Sequence, residues 1–215
     1  MTVQAVIFDC DGVVMDSEGI AFDLMAEQLA QYGHPMTHDQ MRTLFLGGTM
    51  RSFWTEVRAL GVALPDDWVD AQYGRMFAAL ARHTPLIPGI MAVLDRLDAA
   101  GIPYAMGSNG PPRKMQITMG QHSGLMDRFH GHIYSAQTVG KPKPAPDVYL
   151  HAAAALGVAP AGCVVIEDSA AGARAARAAG MRCMGFATED DGAILAAHGA
   201  QVFHDMADLP GLLGL

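Results

Sequence analysis

A chain of 215 residues, 51% of them hydrophobic, is long enough to bury a sizeable core without cross-links. Its net charge of −8, with no basic run, argues against nucleic-acid binding, which rests on neutralising phosphates. Its three cysteines, Cys10, Cys163 and Cys183, are odd in number and show no zinc spacing, which suits a reduced, cytoplasmic setting rather than a disulfide framework; no signal-peptide pattern and no run long enough for a membrane span is present.

Val3 to Phe8 is an apolar run of strand length, and Gly12 to Ser17 follows as a turn. From about Glu18 to Tyr32, apolar residues recur at helical spacing (Ile20, Leu24, Met25, Leu29), and Gly33-His34-Pro35 ends that helix. Thr37 to Gln40 has the pattern of a capping box, with Thr37 as N-cap, and Gly47-Gly48 breaks the helix it starts. Two further helices are predicted, Met50 to Leu60 and Asp67 to Arg82. No convincing strand lies between residues 18 and 85, and Pro85 and Pro88-Gly89 close this helical insertion.

Beyond it, helices and strands alternate. The predicted order is helix Ile90 to Ala100, strand Tyr104 to Gly107, helix Arg113 to His122, strand Ile133 to Ser135, helix Asp147 to Leu156 and strand Cys163 to Ile166. Helix Gly172 to Ala179, strand Arg182 to Phe186, helix Asp191 to His198 and strand Gln201 to Phe203 complete it. Such alternation argues for a parallel sheet with right-handed crossovers. The fold class is therefore α/β: a Rossmann-like parallel sheet flanked by helices, discontinuous over residues 1–15 and 86–215, with a helical domain over 16–85 inserted after its first strand. The alanine-rich stretch 152–179 reads as close packing of helices on the sheet. Some of the fifteen methionines fill irregular gaps in the core, and others line an adaptable interface.

Three of the predicted strands run directly into polar residues: Asp9-Cys10-Asp11-Gly12, Ser108-Asn109-Gly110 and Glu167-Asp168-Ser169. In an open α/β sheet the carboxyl ends of the strands form the ligand crevice, so these distant segments deliver carboxylates and a hydroxyl to one place. Asp9 is placed as a nucleophile, and carboxylates that become aspartyl phosphates are one mode of covalent catalysis. Asp11, two residues on, is placed as general acid and then base, and Gly12 permits the turn. Taken alone, the segment reads equally as an ordinary turn. Asp168, with Glu167 supporting it from behind or as an alternative ligand, suits magnesium, which takes a few hard oxygen ligands plus waters; Asp168 or Ser169 also suits the cap of the next helix. Ser108 and Asn109 offer hydrogen bonds to phosphate oxygens. Lys143, between Pro142 and Pro144, sits on a backbone that the prolines restrain and can hold developing phosphoryl charge; Lys141 is its rival.

These four segments, in this order, resemble the motifs of the haloacid dehalogenase superfamily of aspartyl-phosphate phosphotransferases. The first motif is carried by Asp9 to Glu18, the second by Ser108-Asn109, the third by Lys143-Pro144-Ala145-Pro146-Asp147 and the fourth by Glu167-Asp168-Ser169 with Ala171-Gly172. The resemblance is greatest to members with a small helical cap, the β-phosphoglucomutase-like sugar phosphatases, and the run Ser108 to Met115 resembles bacterial 6-phosphogluconate phosphatases. It implies a Mg2+ held by Asp9, the backbone carbonyl of Asp11, and Asp168, with Ser108 and Lys143 on the phosphoryl oxygens and Gly12 and Asn109 beside them. It implies a small phosphorylated substrate, neither nucleic acid nor membrane as partner, and a monomer or weak homodimer. Within the cap, Arg51, Trp54 and Arg75 are the candidates for substrate contact.

Among rivals, a dehalogenase is disfavoured because it needs no leaving-group acid at Asp11. A mutase must hold a bisphosphate. Family mutases carry a histidine and an arginine at cap-proximal positions that here align with Ala21 and Met50, with Arg51 one position off. A non-catalytic phosphometabolite-binding protein is the alternative of a different class, and the presence of Asp9, Asp11, Lys143 and Asp168 together disfavours it.

Overall fold

The computed structural model describes residues 2–45, 48–188 and 190–215. Six strands, β1 (Ala5–Phe8), β2 (Tyr104–Ser108), β3 (Ile133–Ser135), β4 (Cys163–Glu167), β5 (Arg182–Phe186) and β6 (Gln201–Phe203), pair in the order β3-β2-β1-β4-β5-β6. Every pairing is parallel. β1 lies at the point where the strand order reverses, with Phe8 level with Met106 on one side and Ile166 on the other. In a doubly wound sheet that is where the ligand crevice opens.

The helices are α1 (Glu18–Gln31), α2 (His38–Phe45), α3 (Met50–Ala59), α4 (Trp68–Leu80), α5 (Ile90–Ala100), α6 (Pro112–Met119), α7 (Leu125–Arg128), α8 (Ala136–Val139), α9 (Asp147–Ala155), α10 (Ala170–Ala178), α11 (Ala193–Ala197) and α12 (Leu209–Leu213). Each predicted strand and each predicted long helix is present, with ends shifted by a few residues. Two shifts matter for the site: β2 runs on to Ser108 and β4 to Glu167, so both side chains are held within the ladder and not on a following loop. The short helices α7, α8 and α12 were not predicted. Four or five residues are barely more than one turn and carry no readable period.

Alternate residues of β1 face opposite sides, as the two-residue repeat of a strand requires. Val6 and Phe8 join one apolar cluster with α5, α6 and α12. Ala5 and Ile7 join another, in which Ala152, Ala153, Ala173 and Ala176 of α9 and α10 lie against the sheet. Small side chains there let the helices approach closely, as the composition predicts. The helices α1 to α4 share a separate apolar cluster that includes Phe22, Met25, Met41, Phe53, Trp68 and Met76.

The Thr37–Gln40 capping box forms: the Thr37 N–H donates to Gln40 Oε1 at 2.9 Å, and the Gln40 N–H to Thr37 Oγ1 at 3.3 Å. Thr49 caps α3 in the same way with Ser52. The predicted break at Gly47 lies outside the described residues. The chain leaves for these helices and returns from them at one place. Met15 and Leu86 form an antiparallel bridge, the Asp16 N–H donates to Pro85 O at 2.9 Å, and the Ile87 N–H to Val14 O at 3.0 Å.

Candidate active site

Asp9 follows β1 directly and is 8% exposed. The chain then turns tightly: the Val14 and Met15 N–H groups donate to Cys10 O, and the Gly12 N–H donates to Met15 O. Gly12 takes a positive φ of 71°, and a Cβ there would sit 1.9 Å from Asp168 Oδ2. Two requirements, a left-handed backbone and room for a carboxylate, therefore select glycine at this position.

Lys143 reaches this strand end from the loop before α9. Its ammonium donates to Asp9 Oδ1 at 2.6 Å and to Glu167 Oε1 at 2.7 Å, and it lies over the Tyr149 ring at 4.7 Å. Burial disfavours that charge, but Asp9 and then Glu167 outweigh it and hold the ammonium above its ordinary value. The loop is fixed by Asn109, whose Oδ1 accepts from the Lys143 N–H at 2.8 Å and whose Nδ2 donates to Lys143 O at 3.3 Å. The side-chain amide of Asn109 is thus spent on the lysine's backbone. Lys141, the rival cation, is exposed.

Glu167 is fully buried, and five hydrogen bonds converge on its carboxylate. Oε1 accepts from Lys143 and from Tyr149 OH at 2.7 Å; Oε2 accepts from the Asp168 N–H, the Ser169 N–H and Ser169 Oγ. Burial alone would raise this carboxyl; Lys143, Tyr149 and Ser169 outweigh it and hold it below its ordinary value.

Asp9, Glu167 and Asp168 present oxygens within 4.8 Å of one another, a hard donor set of the kind magnesium takes. Among the described residues no donor reaches the Asp168 carboxylate. Burial, and then the charges of Glu18, Glu167 and Asp9, raise it well above its ordinary value. Burial, opposed by Lys143 and reinforced by Glu167 and Asp11, pushes Asp9 up to about 7. Repelling carboxylates short of cations fit a divalent ion between them. With Glu167 saturated by its donors, Asp9 and Asp168 are the oxygens left for it.

Asp11 also faces the cavity. Its Oδ1 accepts from Lys114 Nζ at 2.6 Å and from Ser17 Oγ, and its Oδ2 has no hydrogen bond among the described residues. Lys114 was not singled out from the sequence. It sits in the first turn of α6 and is 8% exposed, where a helical lysine is ordinarily solvated; its place just after β2 was the one available signal. Glu18, at the start of α1, also borders the site. Burial, and then the Asp11 charge, opposed by Arg42, pushes its carboxyl up to about 7. Ser108 Oγ accepts from the Gly110 N–H at 2.9 Å, and among the described residues its own O–H has no acceptor.

These groups line a cavity of about 70 Å³, partly open to solvent, whose lining includes Asp9, Asp11, Ser108, Asn109, Lys114, Lys143 and Asp168. The inserted helices cover it with Ala21, Phe22, Thr49, Met50, Tyr73 and Met76. Arg51, Trp54 and Arg75, the candidates for substrate contact, are not among the residues that line it. Arg51 is exposed and stacks at 5.0 Å on the ring of Trp54, which is itself tied through Nε1 to Pro65 O. Arg75 is exposed on α4. The cation–aromatic stack holds Arg51 on the outer face of α3, while its neighbours Met50 and Phe53 point inward.

The family model of haloacid dehalogenase-like hydrolases matches residues 3–180. The chain is 28% identical over 213 residues to a 6-phosphogluconate phosphatase of Escherichia coli (strain K12), covering 98% of this chain and 94% of that protein. It is 27% identical over 179 residues to a bifunctional riboflavin kinase/FMN phosphatase of Arabidopsis thaliana, covering 83% of this chain but only 47% of that protein's length. A solved structure of a conserved haloacid dehalogenase-like protein of unknown function from Agrobacterium tumefaciens superposes with a TM-score of 0.86 at 33% identity, over 99% of this chain and 98% of that one. Together with the acids and lysines gathered at the end of β1, these matches show that the chain belongs to the haloacid dehalogenase-like hydrolases.

Proposed function

We propose that the protein is a magnesium-dependent phosphatase acting on a small phosphorylated metabolite of the sugar or sugar-acid class, with the helices of residues 16–85 as its cap. The observation that carries this reading is the convergence of Asp9, Asp11, Lys143 and Asp168 on one cavity. Asp9 and Asp168, with the backbone carbonyl of Asp11, would hold Mg2+, which when bound offsets charge on the phosphoryl oxygens. An Asp9 oxygen attacks phosphorus and the ester P–O bond breaks, giving an aspartyl phosphate. Asp11 gives its proton to the departing alkoxide, then takes one from the water that cleaves the acyl phosphate. Lys143 and the Ser108 O–H hold the phosphoryl oxygens, Lys114 and Ser17 orient Asp11, and Glu167 anchors Lys143.

Ala21 and Met50, at the positions aligned with the mutase histidine and arginine, both line the cavity. They offer nothing to a second phosphate, which favours hydrolysis over transfer back to a bisphosphate. The test is phosphate release from sugar and sugar-acid phosphates with magnesium or chelator, for the wild type and Asp9→Asn. Metal-dependent release that falls to background in Asp9→Asn is expected. Release that persists in the variant overturns the role of Asp9.

A further inference from the structure

The two halves of the cavity differ in chemistry. The strand-end half carries all the cations and most of the acids: Asp9, Asp11 and Asp168, with Lys114 and Lys143 already paired to Asp11, Asp9 and Glu167. The half supplied by the inserted helices is mostly apolar, with Ala21, Phe22, Met50 and Met76 all under 5% exposed; its hydroxyls are those of Thr49 and Tyr73, and its charged group is the acid Glu18 at the rim. Among the described residues that line it, none from these helices is cationic. Arg51 is turned outward onto Trp54. Arg42 borders a neighbouring, wider cleft on the far side of Phe22 and Glu18, where Asp16, Asp39 and Asp190 stand with it.

We infer that the substrate's leaving group is an uncharged alcohol with an apolar face, and that the site discriminates against leaving groups bearing a carboxylate or a second phosphate. This rests on the phosphatase reading. The phosphoryl group occupies the charged half, so whatever it is esterified to enters the apolar half. A carboxylate there loses its hydration and meets no cation, a cost that a neutral alcohol avoids. Thr49 and Tyr73 supply hydrogen bonds to hydroxyls and suit a polyol or sugar without requiring charge. This narrows the proposed sugar or sugar-acid class to its neutral members, and away from the 6-phosphogluconate named for the Escherichia coli relative, to which the chain is 28% identical.

The experiment compares matched pairs that differ in one carboxylate: glucitol 6-phosphate with 6-phosphogluconate, glycerol 3-phosphate with 3-phosphoglycerate, and phenyl phosphate with 4-carboxyphenyl phosphate. In each pair that is turned over, kcat/KM for the neutral member is expected to exceed that of the acid by on the order of 100-fold. Met50→Arg, which places a guanidinium in the apolar half, should narrow the ratio about 10-fold, whereas Met50→Gln should leave it. Because the ratio is taken within one preparation, partial loss of folded variant does not move it, and the wild-type ratios stand if Met50→Arg does not fold. Equal turnover or preference for the acids overturns this inference and leaves the phosphatase reading intact. No metal-dependent release from any pair, phenyl phosphate included, overturns the phosphatase reading itself.

Discussion

Asp9 and Glu18 illustrate what gathering acids costs a folded chain. Both carboxyls are pushed up to about 7, whereas in an unfolded chain they release their protons near pH 4. Between those values the folded state binds more protons than the unfolded one, so stability falls as pH rises. The slope is up to about 1.4 kcal/mol per pH unit for each group. Metal-free protein is therefore expected to lose thermal stability from about pH 4 to 7, and magnesium to flatten the profile. Melting temperatures measured in chelator and in magnesium across that range check this, and a level profile in chelator counts against it. Glu18 starts a helix with no strand to mark it, whereas Asp9, Glu167 and Asp168 were legible in the sequence because they end or directly follow a continuous apolar strand. Lys114 and Tyr149 were not, because their partners Asp11 and Glu167 lie far away in the chain, and a single helical lysine or tyrosine carries no mark of what it will meet. Arg51 failed for the opposite reason: its neighbour Trp54 captures it on the outside of the helix.

At the scale of elements, β4 and α10 meet so closely that Gly172 leaves no room for a side chain. A Cβ on Gly172 would lie 1.7 Å from Glu167 Oε1. Gly172→Ala must displace the carboxylate that anchors Lys143, or move the start of α10. A loss of about 1–3 kcal/mol is expected, roughly 2–10 °C in melting temperature for a chain of this size, with phosphatase activity lost alongside. Gly19→Ala is the contrasting substitution. Gly19 is in α1 with nothing within 4 Å of its would-be Cβ, and alanine there should stabilise by about 0.5–1 kcal/mol. Thermal unfolding of the two variants should move in opposite directions. Parallel strands buried on both faces read as unbroken apolar runs, and for that reason β1, β2, β4 and β5 were found from sequence. The shortest helices were missed because they form where the chain is already held by its neighbours: the three α7–α8–β3 elements share one short stretch between α6 and α9, and tertiary packing decides their conformation more than local propensity.

Across the whole molecule, the helices of residues 16–85 close on the sheet through a few identified contacts. Gln137 Nε2 of α8 donates at 3.3 Å both to Tyr73 OH of α4 and to Asn109 O. Tyr73 stacks on Phe77 with ring centroids 5.7 Å apart, and Arg113 of α6 lies over Phe77 at 5.3 Å. Tyr73 and Asn109, which Gln137 joins, both line the site cavity. On the proposed reading, these contacts part and re-form as substrate enters and product leaves. Gln137→Ala should shift kcat and KM together by about 2–10-fold, with little change in melting temperature because the contact is exposed. Steady-state kinetics on a neutral substrate checks this, and an effect on KM alone would place Gln137 in binding and not in closure.

The chain departs for the inserted helices and comes back at one place, where Met15 stands beside Leu86 with a hydrogen bond on either side. Everything between those two residues is, in topological terms, one closed excursion from the sheet. Its first residues reach the acids: Ser17 donates to Asp11 and Glu18 borders the cavity. The strands and the acids of β1 and β4 themselves lie outside it. The part of the molecule that meets the leaving group is thereby free to diversify independently of the part that meets phosphorus. On the proposed reading, the excursion beyond Glu18, about a third of the sequence, can change to suit a new leaving group while the groups that meet phosphorus stay in place.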